Sequence, residues 1–205
     1  ELILGLKVYR VLNIIGVDEA GRGPLIGNVV AAAVIFPANF HLHGLTDSKK
    51  LTEKKREDFY SKITQQCFWS VADASSIEID ELNILQATML AMTRAINNLQ
   101  HQLEVQNQAE IFKVLVDGNR CPDVANCLAI VKGDLIEPVI SAASVIAKVT
   151  RDRQMKELDL RFPEYGFKSH KGYGTKEHLN ALLKHGPIPG LHRESFSPIK
   201  RLLID

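Results

Sequence analysis

One stretch constrains this chain more than any other: Gly16-Val17-Asp18-Glu19-Ala20-Gly21-Arg22-Gly23-Pro24-Leu25-Ile26-Gly27, which directly follows the apolar run Val11, Leu12, Ile14, Ile15. An apolar, β-branched run that ends abruptly in two carboxylates and then in Gly-Arg-Gly-Pro reads as a buried strand delivering acids to the rim of a sheet. Successive side chains on a strand point to opposite faces, so Asp18 and Glu19 serve one site only if the chain bends at or after Glu19. Gly21 and Gly23 permit that bend. Adjacent carboxylates repel each other, and a shared divalent cation that takes hard oxygen ligands resolves the repulsion. The plain alternative is a solvated acidic turn. The attached Gly-Arg-Gly-Pro argues against it, because glycines let backbone approach a ligand closely.

Strands and helices interleave along the rest of the chain. Tyr9 to Val17 reads as the first strand and Asn28 to Phe36, nearly all Val, Ala and Ile, as a second buried one. The loop between them is too short for a helix, so the pair is expected to be antiparallel. Thr52 suits an N-cap, with Lys55 in place of an acid at the capping-box position, and Phe59, Ile63 and Cys67 share a face of the helix that follows. Phe68 to Ala74 reads as a third strand. Ile79 to Leu103 reads as one long helix, its stripe of Leu82, Leu85, Met89, Met92, Ile96 and Leu99 being core packing. Ile111 to Val116 and Cys127 to Val131 read as strands four and five. Pro138 opens a helix whose Val139, Ala142, Ile146 and Val149 share a face, and whose Ser141-Ala142-Ala143-Ser144 lets it lie close to the sheet. A last helix runs around Lys176 to Lys184. This alternation points to α/β layering around a mixed sheet.

Composition sets limits on function. No window approaches 18 uninterrupted apolar residues, so no membrane span is expected. Glu1 to Lys7 lacks the basic leader, long apolar core and small-residue cleavage site of a secretory signal, and the chain does not begin with Met. Cys67, Cys121 and Cys127 form no Cys-x-x-Cys pair and fit a reducing cytoplasm. The net charge of +1 is unevenly spread: Lys148 to Asp205 carries about +5 and the preceding 147 residues about −4. An acidic part that can hold cations beside a basic part that can hold phosphates hints at a polyanionic partner. A Gly-Lys-Ser/Thr phosphate loop is missing, which argues against kinase or ATPase chemistry.

Val17-Asp18-Glu19-Ala20-Gly21-Arg22-Gly23-Pro24 resembles the N-terminal signature of type 2 ribonuclease H, in its bacterial form ribonuclease HII. Asp47-Ser48-Lys49-Lys50-Leu51, Val116-Asp117-Gly118-Asn119, Lys132-Gly133-Asp134, Ser141 to Ser144 continuing through Lys148-Val149-Thr150-Arg151-Asp152, and His170-Lys171-Gly172-Tyr173-Gly174-Thr175 are similar to that family too, in its order. The resemblance covers nearly the whole chain. It implies a ribonuclease H-like fold, a five-stranded mixed sheet flanked by helices with a C-terminal helical extension: a catalytic core over residues 1–160 and an extension over 161–205 packed on it.

Three strands end in or just before acids: Asp18 and Glu19, Asp117, and Asp134. Taken singly, Asp117 or Asp134 reads as a turn-former or cap. If their strand ends share one edge, four carboxylates converge, and such a site selects Mg²⁺ or Mn²⁺. Two such ions about 4 Å apart cleave phosphodiesters without a protein nucleophile. The resemblance assigns Asp18, Glu19, Asp117 and Asp134 as catalytic metal ligands. Asp123, Glu137 and Asp152 lie near enough in sequence to compete with Asp134.

The resemblance also implies a substrate: the RNA strand of RNA–DNA hybrids, and duplex DNA with an embedded ribonucleotide, incised to leave 3′-hydroxyl and 5′-phosphate ends. The implied roles are ribonucleotide removal and primer or hybrid clearance in the cytoplasm, by a monomer. Such an enzyme senses a 2′-hydroxyl. Gly21, Arg22 and Gly23 are the candidates for that task, together with a tyrosine on the sugar, which is Tyr173 with Tyr165 as its competitor. Lys49, Lys50, Lys148 and Arg151 are assigned to backbone phosphates, which position without reading sequence. His170, His178 and His192 read as surface or packing residues. Two other readings stay open, a junction or repair nuclease of the same fold and a catalytically silent nucleic-acid-binding module. A DNA-only nuclease needs no 2′-hydroxyl sensor, and a silent module gains nothing from four acids at one rim.

Overall fold

The computed structural model describes residues 11–38, 40–42, 44–45, 51–105 and 112–204, with the side chains of 11–13 excepted. Five strands form one sheet: β1 Val11–Ala20, β2 Val29–Pro37, β3 Phe68–Ala74, β4 Lys113–Asp117 and β5 Cys127–Ile130. Their spatial order is β3-β2-β1-β4-β5. β1 runs antiparallel to β2, as the short loop requires, and β2 antiparallel to β3, while β4 lies parallel to β1 and to β5. The sheet is therefore mixed.

β2 is buried along its whole length because helices cover both of its faces. Ala31, Ala33 and Ile35, with Ile15 and Val17 of β1, pack on the long helix α3 (Ile84–Val105), which supplies Ala91, Met92, Ala95, Ile96 and Leu99. Ala32, Val34 and Phe36 face the other way, onto Val139, Ala142, Ala143, Ile146 and Val149 of the helix over Pro138–Arg161 (α5 in chain order). Gly16 allows the close approach on that side: a Cβ there would lie 2.4 Å from the Val139 carbonyl carbon. Small residues thus meet from both sides, Gly16 on the strand and Ala142 and Ala143 on the helix, with Ser141 and Ser144 buried beside them. The helix over Glu53–Gln66, α1, is capped by Thr52, whose hydroxyl accepts from the Lys55 amide at 3.3 Å, and is tied to α5 by Arg153–Glu57 and Lys156–Glu53 pairs at 2.6 Å.

Most boundaries fall within a residue or two of the sequence expectation, Asp117 being the last residue of β4 rather than the one after it, and three differences are larger or bear on the acids. β1 continues to Ala20, because its pairing with β2 holds through Ala20 opposite Val30, so both acids are part of the strand rather than beyond it. The long helix is two: α2 (Ser76–Leu82) ends at Asn83, whose φ of 71° breaks the ladder and whose Oδ1 then accepts from the Leu85 and Gln86 amides to start α3. α2 opens with a complete Ser75–Glu78 capping box. Asp134 follows β5 in a single helical turn, α4 (Gly133–Ile136).

Beyond α5 the chain forms a 3₁₀ turn at Pro163–Tyr165 and short helices α6 (Phe167–His170), α7 (Lys176–His185) and α8 (Ser197–Ile204). These fold over the loop between β1 and β2: Tyr165, Phe167, Leu182 and Ile199 share a core with Leu25, Ile26 and Met155. Among the described residues no helix is long and apolar enough to cross a membrane.

Candidate active site

Parallel pairing of Val17 with Val116 puts Asp18, two residues before the end of β1, beside Asp117, the last residue of β4. Alternation along both strands turns them to one face: Val17 and Val116 join the core under α3, whereas Gly16 and Leu115 meet α5. Asp18 is buried, and burial, then the charges of Glu19 and Asp117, hold its carboxyl well above the usual carboxylate range. Two hydrogen bonds oppose that shift, from the Ser144 hydroxyl on α5 and from the Glu19 amide, which donates to Asp18 Oδ1 at 2.7 Å. Asp134 reaches the same edge through its backbone, its N–H donating to Asp117 Oδ1 at 3.3 Å.

Of the competitors for the fourth position, two stand elsewhere, while Asp152 lines the same cleft as Glu19 but is held by a lysine. Asp152 is paired with Lys148 at 2.6 Å, Asp123 is exposed, and Glu137 lines a different hollow with Ile14 and Phe36. Mutual repulsion at Asp18, among hard oxygen donors, is the electrostatic condition that a divalent cation relieves, so the donor set fits Mg²⁺ or Mn²⁺. Among the described residues no three His, Cys, Asp or Glu side chains are grouped so as to hold a metal ion as they stand.

Next to the acids lies a cleft of about 250 Å³ whose walls include Glu19, Arg22, Gly23, Lys148, Lys171 and Tyr173. The chain leaves β1 at Gly21, whose φ of +94° turns it out of the strand just after the two acids. Arg22 extends outward, half-exposed, 3.4 Å from Glu19. Gly23 faces Tyr173, which stands half-exposed across the cleft. Tyr165, its competitor, is a packing residue, buried with its hydroxyl donating to the Gly186 carbonyl at 2.7 Å.

Of the cations assigned to phosphates, Lys148 lines the cleft. Arg151 does so from beneath the loop: it is buried, donates from Nη2 to the Ile26 carbonyl, lies under Gly21 and Gly27, and burial lowers its pKa to about 10. Lys49 and Lys50 lie outside the described residues. His170, His178 and His192 are all buried rather than on the surface, and their rings hydrogen-bond backbone groups and one another.

Sequence reasoning missed two residues. Lys171 lines the cleft beside Tyr173, and its place in a family-like segment was the available signal. Arg193 is fully buried behind the loop and donates to the carbonyls of Gly21, Arg22, Pro24, Gly27 and Asn28 at 2.6–3.2 Å. Nothing in the sequence distinguishes that arginine from a surface one.

The comparisons with known proteins agree with this geometry. A family model described as Ribonuclease HII matches residues 15–199. The ribonuclease HII of Acinetobacter baylyi is 54% identical over 193 residues, covering 93% of this chain and 97% of its own. The ribonuclease H2 structure from Pyrococcus horikoshii superposes with a TM-score of 0.71 at 27% identity, over 92% of this chain and 96% of that one. A ribonuclease HIII solved in complex with Mn²⁺, Bst-RNase HIII, shares the fold at 17% identity, with a TM-score of 0.73 over 93% of this chain and 69% of that one. With its ribonuclease H-like sheet and the family model spanning nearly all of it, the chain belongs to the ribonuclease HII family and is a nuclease.

Proposed function

We propose that this chain is an endonuclease that hydrolyses the RNA strand of RNA–DNA hybrids and incises duplex DNA at embedded ribonucleotides, leaving 3′-hydroxyl and 5′-phosphate ends. It would act as a monomer in the cytoplasm in ribonucleotide removal and in primer or hybrid clearance, with residues 1–160 as catalytic core and 161–205 as an extension packed on it. The observation that carries the reading is the adjacency of two features: acids on neighbouring strand ends, and a cleft walled by Gly23 on one side and Tyr173 on the other.

Asp18, Glu19, Asp117 and Asp134 would hold two divalent cations, Mg²⁺ or Mn²⁺; bound there, the cations supply Lewis acidity to the attacking water and to the leaving oxygen. The protein's own groups do the rest. The Glu19 amide and Ser144 orient the Asp18 carboxylate. Arg22 and Lys148 attract the phosphates on either side of the cut, while Arg151 supports the loop from below. Backbone N–H groups of the Gly21-Arg22-Gly23 turn donate to the 2′-hydroxyl, whose oxygen accepts at most two of them, and the Tyr173 ring packs on the neighbouring sugar, where a bulkier residue at position 23 would crowd it.

Two end-labelled duplexes of one sequence test this, one with a lone ribonucleotide and one all DNA. Cleavage of the first alone, only with a divalent cation and with the stated ends, is the expected result. Equal cleavage of both would favour a repair nuclease of the same fold, and cleavage of neither a silent binding module.

A further inference from the structure

We propose that Arg193, together with the adjacent His192, is a positioning residue for ribonucleotide recognition: it fixes the loop over 21–28 with its carbonyls inward and its recognition amides outward, while His192 fixes the opposing tyrosine. This rests on the reading of Gly21 to Gly23 as the 2′-hydroxyl sensor.

The guanidinium has five N–H donors in a rigid fork. Nη2 donates to the carbonyls of Gly21 (2.6 Å), Gly27 (2.8 Å) and Asn28 (3.2 Å), Nη1 to those of Arg22 (2.9 Å) and Pro24 (2.7 Å), and Nε to Gly27 again (2.9 Å). The Arg193 backbone N–H adds the Leu25 carbonyl at 2.9 Å. Six carbonyls of one loop are thus gathered on one residue. A trans peptide holds its C=O and the following N–H in opposite directions. With the Gly21 and Arg22 carbonyls drawn inward, the N–H groups of Arg22 and Gly23 must point outward, and these two residues line the cleft. Neither amide has a hydrogen-bond partner among the described residues.

The cation is costly where it stands. Burial, and then the charge of Arg151, lower the Arg193 pKa to about 9, and among the described residues no carboxylate forms an ion pair with it. A cation buried against carbonyl dipoles, with the Phe196 ring 5.1 Å from it and Asp80 the carboxylate that favours its charge, is a poor device for stability and a good one for imposing a single loop geometry.

His192 holds the facing wall by a chain of fixed tautomers. Its Nδ1 accepts the Ile188 amide at 2.8 Å, so its Nε2 carries the proton and donates to His178 Nε2 at 3.2 Å. His178 must then be protonated on Nδ1, which donates to the Tyr173 carbonyl at 3.0 Å. Two neighbouring residues of the extension therefore hold the loop and the tyrosine against each other. The Leu25 amide, donating to the Gly172 carbonyl at 2.8 Å, closes the frame.

The test is binding in EDTA, by fluorescence anisotropy, of the lone-ribonucleotide duplex and its all-DNA twin, with folding checked by melting. The wild type is expected to prefer the first about tenfold. Arg193→Lys keeps the charge but cannot span the loop; its preference is expected to fall below twofold while affinity for the all-DNA duplex is unchanged. A merely structural role would weaken both duplexes alike. His192→Asn, which keeps an acceptor for the Ile188 amide, is expected to cut the preference about threefold and decides the matter should Arg193→Lys not fold. A folded variant that keeps the full tenfold preference, or loses both affinities together, overturns the proposal. A wild type without preference overturns the sensor reading instead.

Discussion

Gly23 faces the ring of Tyr173 so closely that a Cβ at position 23 would lie 3.1 Å from Cε1. The glycine here is a matter of space, since Gly23 is not among the positive-φ positions. Glycine and tyrosine stand across the cleft from one another, and its width at that point is set by the absence of one side chain. Gly23→Ala is therefore expected to push the ring aside by a few tenths of an ångström. Cleavage of a lone-ribonucleotide duplex should drop about tenfold in kcat/KM, with melting unchanged because the ring is half-exposed. Steady-state kinetics beside a thermal melt checks both parts.

Gly16 is a different kind of glycine. A Cβ there would meet the backbone of Val139 and Ile140 at 2.4–2.6 Å, and backbone cannot rotate away. Gly16→Ala is expected to cost about 2–3 kcal/mol by forcing α5 off the sheet, lowering Tm by roughly 5–10 °C. Because α5 carries Ser144 and Lys148, activity per folded molecule should fall too. An unchanged melt would show that β1 and α5 are less tightly apposed than described.

The histidine cluster sets a pH dependence of stability. Burial holds His178 and His192 at about 4, against about 6.5 for a free imidazole; His170 stacks on His178, and Tyr165 lies against His192. With the folded pKa values depressed, the unfolded chain binds more protons between about 6.5 and 4, so stability falls as pH drops through that window and is unaffected above it. The loss should be on the order of a few kcal/mol; protonation of His178 at Nε2 also removes the 3.2 Å bond between the rings, and protonation of His192 at Nδ1 removes the bond from the Ile188 amide. Urea denaturation of wild type and His178→Asn from pH 7.5 to 4.5 measures it. The variant is expected to lose less stability over that range.

Much of this was legible in the residues. The buried strand ending in Asp18 and Glu19, the antiparallel turn-back into β2 and the alternation of strand and helix all follow from local pattern, because burial on two faces leaves β2 no polar residue. Two local signals were present but unread: the Ser75–Glu78 capping box, and Asn83, the residue that tolerates a left-handed conformation between two helices whose apolar stripe runs on unbroken. Other features are not local at all. That Asp18 and Asp117 turn to one face depends on the register of β1 against β4, and that Arg193 reaches Gly21 depends on how the extension folds back across more than 160 residues of chain. Pairing of distant segments decides both.

The adjacency of Asp18 and Asp117 is tested most directly by isothermal titration of Mn²⁺ into the wild type, Asp18→Asn and Asp117→Asn, with melting curves taken in EDTA. Both variants should fold, since each relieves repulsion at the strand ends. Their Mn²⁺ affinity should be at least about tenfold weaker than that of the wild type, with divalent-dependent cleavage lost in parallel. Wild-type Mn²⁺ affinity in either folded variant would contradict a cation site shared between the ends of β1 and β4.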